Sequence, residues 1–236
     1  MNREVICANS LPWMAEQIKC GVKWRAIITS LPDMDEVVLK QTRYKLHALT
    51  YFGWLERAAR LLALLTADDG CCIFYQTDRR TAGVLLDKVY TISLEFYTEG
   101  YKKVFHKIAL RQAVGTVSLY RPAFSHLFCF SKTLKAGQAT VDVLAPGTRL
   151  YANGMTFSAV EIALDYIKRK VKTQIVLDPF CGRGTVLGIA NAYGLDAVGI
   201  DIDPVCCTAA RELALNAELF EPLGDGSNAP LDNCAR

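Results

Sequence analysis

Val176-Leu-Asp-Pro-Phe-Cys-Gly-Arg-Gly-Thr185, with Ala197-Val-Gly-Ile-Asp-Ile-Asp-Pro204 shortly behind it, is the stretch whose reading decides the fold. An apolar run headed by β-branched Ile175 and Val176 reads as a buried strand, and Cys181-Gly-Arg-Gly184 as a tight turn. Val186 to Tyr193 follows as a helix. A second short strand, Ala197 to Ile200, then ends in a carboxylate at Asp201, sixteen residues after Thr185. Glycines let the backbone approach a ligand, and an acid closing the next strand can accept both hydroxyls of a ribose. The unit therefore reads as a nucleoside-binding βαβ. A dinucleotide fingerprint needs G-x-G-x-x-G, and this turn has no third glycine at the right offset.

Working outward, the 236 residues are 51% hydrophobic, which suits one compact domain with a sizeable core. The expected division is a single domain over 1–217 and an irregular tail over 218–236. A formal charge of +3 permits a nucleic-acid partner without demanding one. The nine cysteines fall as the neighbours Cys71-Cys72 and Cys206-Cys207 plus singles, with no C-x-x-C pair. That pattern argues against a zinc site and for small core residues in a reducing compartment. With no signal peptide or bilayer-length apolar run, the expected location is intracellular, cytoplasmic or nuclear.

Upstream, Arg25-Ala-Ile-Ile-Thr-Ser-Leu-Pro-Asp33 is a strand that breaks at Ser30-Leu-Pro-Asp33. From Lys45 to Leu65 apolar residues recur near a 3.6 period, predicting a helix that Gly70 closes off. Cys71 to Asp78 reads as a strand and Ala82 to Tyr97 as a helix. Val104–Leu110 and His126–Phe130 read as two strands with a long loop between them. Ala136 to Gly154 reads as a linker, and Thr156 to Val171 as an amphipathic helix leading into the cofactor strand. Strands alternating with helices imply an α/β, Rossmann-like, mainly parallel sheet. The two helix-free strands supply an antiparallel edge hairpin.

Asp178-Pro-Phe-Cys-Gly-Arg-Gly-Thr185 and Gly199-Ile-Asp-Ile-Asp-Pro204 resemble the first two cofactor motifs of class I S-adenosylmethionine-dependent methyltransferases. The likeness is to the amino-methyltransferases of DNA and RNA, whose usual form is D-P-F-x-G-S-G-T; Arg183 stands where they carry a small residue. The resemblance implies S-adenosyl-L-methionine as cofactor, held by Asp178, Phe180, Gly182, Gly184, Thr185, Asp201 and Ile202. The opening segment, Glu4 to Met14, resembles the part of that family that meets the adenine, with Asn9 at the position of its acid. Since the cofactor loop comes late in the chain, the implied fold is a circularly permuted one, which a compact domain with surface termini tolerates.

Methyl transfer to an exocyclic amine demands positioning and exclusion of water more than covalent help. The family uses a turn, [D/N/S]-P-P-[aromatic], whose first side chain and a backbone carbonyl accept the amine's hydrogens while the ring stacks on the flipped base. Here the corresponding turn is Ser30-Leu31-Pro32-Asp33, and the resemblance makes Ser30, Pro32 and Asp33 the catalytic candidates. Leu31 and Asp33 depart from the pattern, so a plain surface turn is the alternative. Tyr120, Phe124 or Tyr151 could supply the missing ring, though rings in an apolar chain are more often core. Arg121 and Ser118 could meet a phosphate or belong to a polar loop, and His126 is the one histidine beside that loop. Lys168-Arg-Lys170 is better read as the solvated end of a helix.

The expected activity is methylation of a nucleic-acid base amine. RNA is favoured over DNA, because some twenty linker residues are too few for a module reading the major groove. A partner protein could then supply target recognition. The alternatives are a protein or small-molecule acceptor, or a non-catalytic RNA- or partner-binding subunit.

Overall fold

The computed structural model describes residues 1–41, 48–81, 83–118, 121–136, 140–151 and 153–215. In chain order the elements are β1 (Arg3–Cys7), α1 (Ser10–Lys19), β2 (Trp24–Thr29), α2 (Met34–Gln41), α3 (Ala48–Leu65), β3 (Thr66–Gln76), β4 (Arg79–Thr81), β5 (Val84–Leu86), α4 (Lys88–Thr98), β6 (Lys102–Leu110), β7 (Phe124–Ser131), β8 (Val143–Leu144), α5 (Phe157–Lys170), β9 (Ile175–Asp178), α6 (Thr185–Ala192), β10 (Asp196–Asp201) and α7 (Pro204–Glu212). The expected tail, 218–236, and the start of the helix expected from Lys45 lie outside the described residues, as does Tyr120.

Eight strands form one sheet in the order β1-β10-β9-β2-β3-β7-β6-β8. Only β7 runs against its neighbours: it is antiparallel to β3 and β6, while β8 is parallel to β6 and the remaining pairings are parallel. β9 and β2 are parallel neighbours, meeting at Leu177 and Ile27. The strand carrying Leu177 therefore lies inside the sheet, beside the strand that leads into Ser30, as the permuted order requires.

Both faces of the sheet are covered, which is why its strands read as unbroken apolar runs rather than alternating ones. Successive residues go to opposite sides. Ile28, Cys71 and Ile73 join a core with α5 and α6, whereas Ile27, Cys72 and Phe74 join one with α1, α3 and α4. Helix starts are written locally. Asn9 accepts the Leu11 amide at 3.1 Å, Asp87 the Tyr90 amide at 2.8 Å, and Asp203 the Val205 amide at 2.9 Å with Pro204 in the first turn.

Three local expectations give way to tertiary packing. The helix read from Ala82 starts instead at Lys88, capped by Asp87, because β4 and β5 form a small antiparallel ladder ahead of it. The linker read over Ala136 to Gly154 contains β8, which adds a strand outside the hairpin of β6 and β7, so the hairpin is not the sheet's edge. Gly70 does not close off a helix; it lies within β3, where the pairing with β2 shifts register between Trp24 and Ala26. Among the described residues, no helix is long and apolar enough to cross a membrane.

That shifted register leaves no room for a side chain at position 70. A Cβ there would sit 2.4 Å from the Arg25 carbonyl oxygen and 2.6 Å from its Cα, both backbone atoms that cannot swing aside. Gly70→Ala should destabilise the protein by roughly 1–3 kcal/mol, as over-packing does, read as a lowered midpoint in urea unfolding.

Candidate active site

The carboxyl ends of β9, β10 and β2 open onto one cleft of about 470 Å³, the place where such sheets bind ligands. One wall is the turn after β9. Gly182 has φ +51 and nothing within 4 Å of the position its Cβ would take, so its bare backbone leaves a hollow that a side chain would occupy. Its N–H donates to Asp201 Oδ2 at 2.9 Å, and the Asp203 N–H donates to Asp201 Oδ1 at 2.8 Å. Half-exposed Asp201 lines the cleft, where a carboxylate can accept hydroxyls.

The expected cofactor residues divide in two. Asp178, Phe180, Gly182, Thr185, Asp201 and Ile202 all line the cleft. Gly184 and Asn9 are not among the residues that line it. At Gly184, with φ +84, a Cβ would meet the Cα and Cβ of Ala210 at 2.9 Å, so α7 packing requires the glycine. The Asn9 side-chain oxygen caps α1, and the next residue, Ser10, lines the cleft and donates its hydroxyl to the Pro179 carbonyl.

Asp178 ties the two central strands together. Its Oδ1 accepts the Thr29 hydroxyl at 2.7 Å and the Phe180 N–H at 3.1 Å. Its pKa is pushed up to about 7, by burial first and by neighbouring Asp201, against the downward pull of the two hydrogen bonds. Burial also pushes the Cys181 thiol up, and Gly199 has no side chain because a Cβ would come 2.8 Å from that sulfur. Cys181 is therefore a packing residue.

The opposite wall is the turn after β2, where Ser30, Leu31 and Pro32 line the cleft. Half-exposed Ser30 has no hydrogen-bond partner among the described residues, so its hydroxyl is available to a ligand. The turn is held from beneath. The Leu31 N–H donates to Gln76 Oε1 at 3.0 Å, Gln76 Nε2 donates back to the Leu31 carbonyl at 3.1 Å, and the Tyr51 hydroxyl donates to the Pro32 carbonyl at 2.9 Å. Nothing in the sequence marked Gln76 or Tyr51 beyond a polar residue closing an apolar strand and a ring in an apolar helix.

Asp33 turns away from the cleft. Its carboxylate takes Lys88 Nζ, whose side chain is 1% exposed, on Oδ1 and Arg121 Nη2 at 2.5 Å on Oδ2. Burial lowers the Lys88 pKa, and Asp33 opposes that shift. Arg121 also donates to Asn153 Oδ1 at 3.2 Å, so it bridges the turn and the cleft wall formed by Tyr151, Asn153 and Gly154. Its guanidinium is committed to these partners instead of standing ready for a phosphate, and Ser118 gives its carbonyl to Arg80. Arg183 sits 5.0 Å from the centre of the Tyr151 ring.

His126 lies outside the cleft, 2.8 Å from His106 and 3.2 Å from Asp78, whose other oxygen accepts the Lys88 N–H. A second hollow, of about 720 Å³ beside Lys168 and Lys172, opens at the opposite ends of β9 and β10.

No family model and no curated protein matches the chain. Solved structures do. A candidate DNA modification methylase from Thermus thermophilus, in complex with S-adenosyl-L-methionine, has a TM-score of 0.63 at 16% identity, covering 90% of this chain and 94% of that one. The cytosine-N4-specific PvuII DNA methyltransferase gives 0.66 at 13% identity, over 89% of this chain and 86% of its own. M1.HpyAVI with bound SAM gives 0.59 at 16%, over 89% and 97%. The chain has a methyltransferase fold. In it the late cofactor-type loop and the early turn occupy adjacent parallel strands.

Two predictions concern buried charge. Asp33→Asn should cost about 3–5 kcal/mol in chemical denaturation, because it leaves Lys88 buried without a counter-charge. Adding Lys88→Met should restore most of that loss. Asp178 has a folded pKa of about 7 against an ordinary 3.8. The folded state thus holds a proton that the unfolded chain has released, and stability falls as pH rises from about 4 to 7. The slope should approach ~1.4 kcal/mol per pH unit, and Asp178→Asn should flatten it.

Proposed function

We propose that the chain is an S-adenosylmethionine-dependent methyltransferase acting on an exocyclic amine of a nucleic-acid base. The observation that carries this reading is the meeting of two turns in one cleft: the open backbone of Gly182 with Asp201 on one wall, and Ser30 to Pro32 on the other. The first wall fits the cofactor. Asp201 brings a carboxylate to the cleft for ribose hydroxyls, Gly182 leaves a hollow for close approach, and Phe180 and Ile202 offer apolar surface to an adenine.

When bound, S-adenosylmethionine supplies an electrophilic methyl group. What remains is positioning, and the second wall is built for it. The Ser30 hydroxyl accepts one hydrogen of the acceptor amine. The Leu31 carbonyl, held in place by Gln76 and keeping one lone pair, accepts the other. Fixing both hydrogens turns the nitrogen lone pair out of conjugation with the ring and toward the methyl group. The N–C bond would form as the sulfonium C–S bond breaks, the thioether product would leave, and one amine hydrogen would depart as a proton to solvent. Asp33 acts beneath the turn, through Lys88 and Arg121, and not on the amine.

Of the two nucleic acids, the comparisons support DNA over the RNA expected from the sequence. That expectation rested on a linker of some twenty residues, too few for a module reading the major groove. The solved proteins described as DNA methylases are matched over 86–94% of their own chains, so the short linker is no argument against DNA.

Calorimetric titration with S-adenosylmethionine should give a Kd that rises at least tenfold in Asp201→Ala, which removes charge-assisted hydrogen bonds worth ~1.5–3 kcal/mol each. Ser30→Ala should keep the cofactor Kd and lower methyl transfer to pooled duplex DNA by about 10²-fold. The reading is lost if the wild-type protein binds no cofactor, or methylates proteins but neither DNA nor RNA. Transfer to RNA alone would overturn the choice of DNA.

A further inference from the structure

A flat base presented for methylation needs a flat surface to lie against, because its amine must be held in line with the methyl group. This inference rests on the function proposed above. The turn supplies no such surface: Leu31 and Pro32 carry no aromatic ring, and Asp33 is directed at Lys88 and Arg121. Among the described residues that line the cleft, two have aromatic rings, Phe180 and Tyr151. Phe180 belongs to the cofactor turn and packs edge-on against Trp54, with ring centres 5.8 Å apart.

Tyr151, half-exposed as Phe180 is, differs in its place and its packing: it comes from the segment between β8 and α5. The guanidinium of Arg183 stands over one face of its ring at 5.0 Å, which fixes the ring plane by a cation–π contact and leaves the other face uncovered by that contact. The same segment is also tied to the catalytic turn. Arg121 donates to Asn153 at 3.2 Å and pairs with Asp33 at 2.5 Å, and Lys88 backs Asp33 from the buried side. Beside Asn153, the Gly154 N–H closes a turn onto the Tyr151 carbonyl at 2.9 Å.

Two oddities of the sequence thereby explain each other. The arginine at position 183 braces a ring, and the acid at position 33 anchors the segment that brings the ring in. We propose that Tyr151 is the stacking platform for the acceptor base, positioned by Arg183 from behind and by the Asp33–Arg121–Asn153 strut from the turn.

The test joins cross-linking to kinetics. Pools of randomised DNA and RNA oligonucleotides carrying 5-iodouracil or 5-iodocytosine are irradiated with the full-length protein, and the cross-linked peptides are mapped by mass spectrometry. The expected cross-link is at Tyr151. Tyr151→Ala should raise the acceptor KM about 10- to 100-fold, the scale of one lost base stack, with the S-adenosylmethionine Kd within about threefold of wild type. Tyr151→Phe and Tyr151→Trp should restore KM, since the role needs a ring and not a hydroxyl. Arg183→Ala and Asn153→Ala should raise KM by a smaller factor without moving the cofactor Kd, as expected of positioning residues.

The proposal is overturned if Tyr151→Ala weakens the cofactor as much as Asp201→Ala does while leaving the acceptor KM alone, for the ring would then cover the cofactor. Cross-links confined to other residues, in a protein that methylates the pool, overturn the platform but not the activity. Cofactor binding without cross-linking or methylation of any oligonucleotide sinks the nucleic-acid reading and the platform together.

Discussion

One contact between distant segments makes the cleft possible: the parallel pairing of β2 with β9 at Ile27 and Leu177, locked at its carboxyl end by the Thr29 hydroxyl on Asp178. The two partners of that hydrogen bond are 149 positions apart in sequence. Because the strands are parallel neighbours, the segments that leave them emerge side by side, and each forms one wall. Parallel pairing also forces helices onto both faces, which buries the strand ends and leaves Asp178 without water. Its raised pKa is the electrostatic consequence of placing an acid where the strands must join.

The second organising constraint lies under the turn after β2. A buried lysine is costly unless a counter-charge meets it, and Asp33 meets Lys88 on one carboxylate oxygen and Arg121 on the other. Such a cluster contributes little net stability, but its directional contacts hold a short loop more rigidly than apolar packing would. Gln76 adds to this by giving Leu31 both a donor and an acceptor, much as another strand would. The turn that would carry the amine acceptors is thus fixed by buried polar groups, every one satisfied by a named partner.

The likeness to solved methyltransferases at 13–16% identity shows how little of the sequence this architecture prescribes. What the fold needs is a pattern: apolar residues on alternate sides of the central strands, and small residues where backbones approach. Gly70 against Arg25 and Gly199 against Cys181 are of the second kind. Surface and loop residues are not bound by that pattern.

The sequence by itself determined the strand–turn–helix around Asp178, the acid at the end of β10, the helix ahead of β9 and the late position of the cofactor-type loop. These are legible because glycine turns, capping residues and hydrophobic period act over a few neighbouring positions. The parallel order of the central strands followed, since few topologies accommodate that sequence of elements. Tertiary structure alone decided the rest. β4 and β5 pair with each other, and β8 with β6; neither stretch has a strand pattern strong enough to announce itself. The direction of the Asp33 carboxylate depends on Lys88 and Arg121, which lie 55 and 88 positions further along the chain. Arg183 came into view as a departure from a motif, but the ring it covers is Tyr151, in a stretch that reads as a linker. Local chemistry sets which elements form. Which side chains face one another across a cleft depends on packing between segments far apart in the chain, and no short stretch of sequence records it.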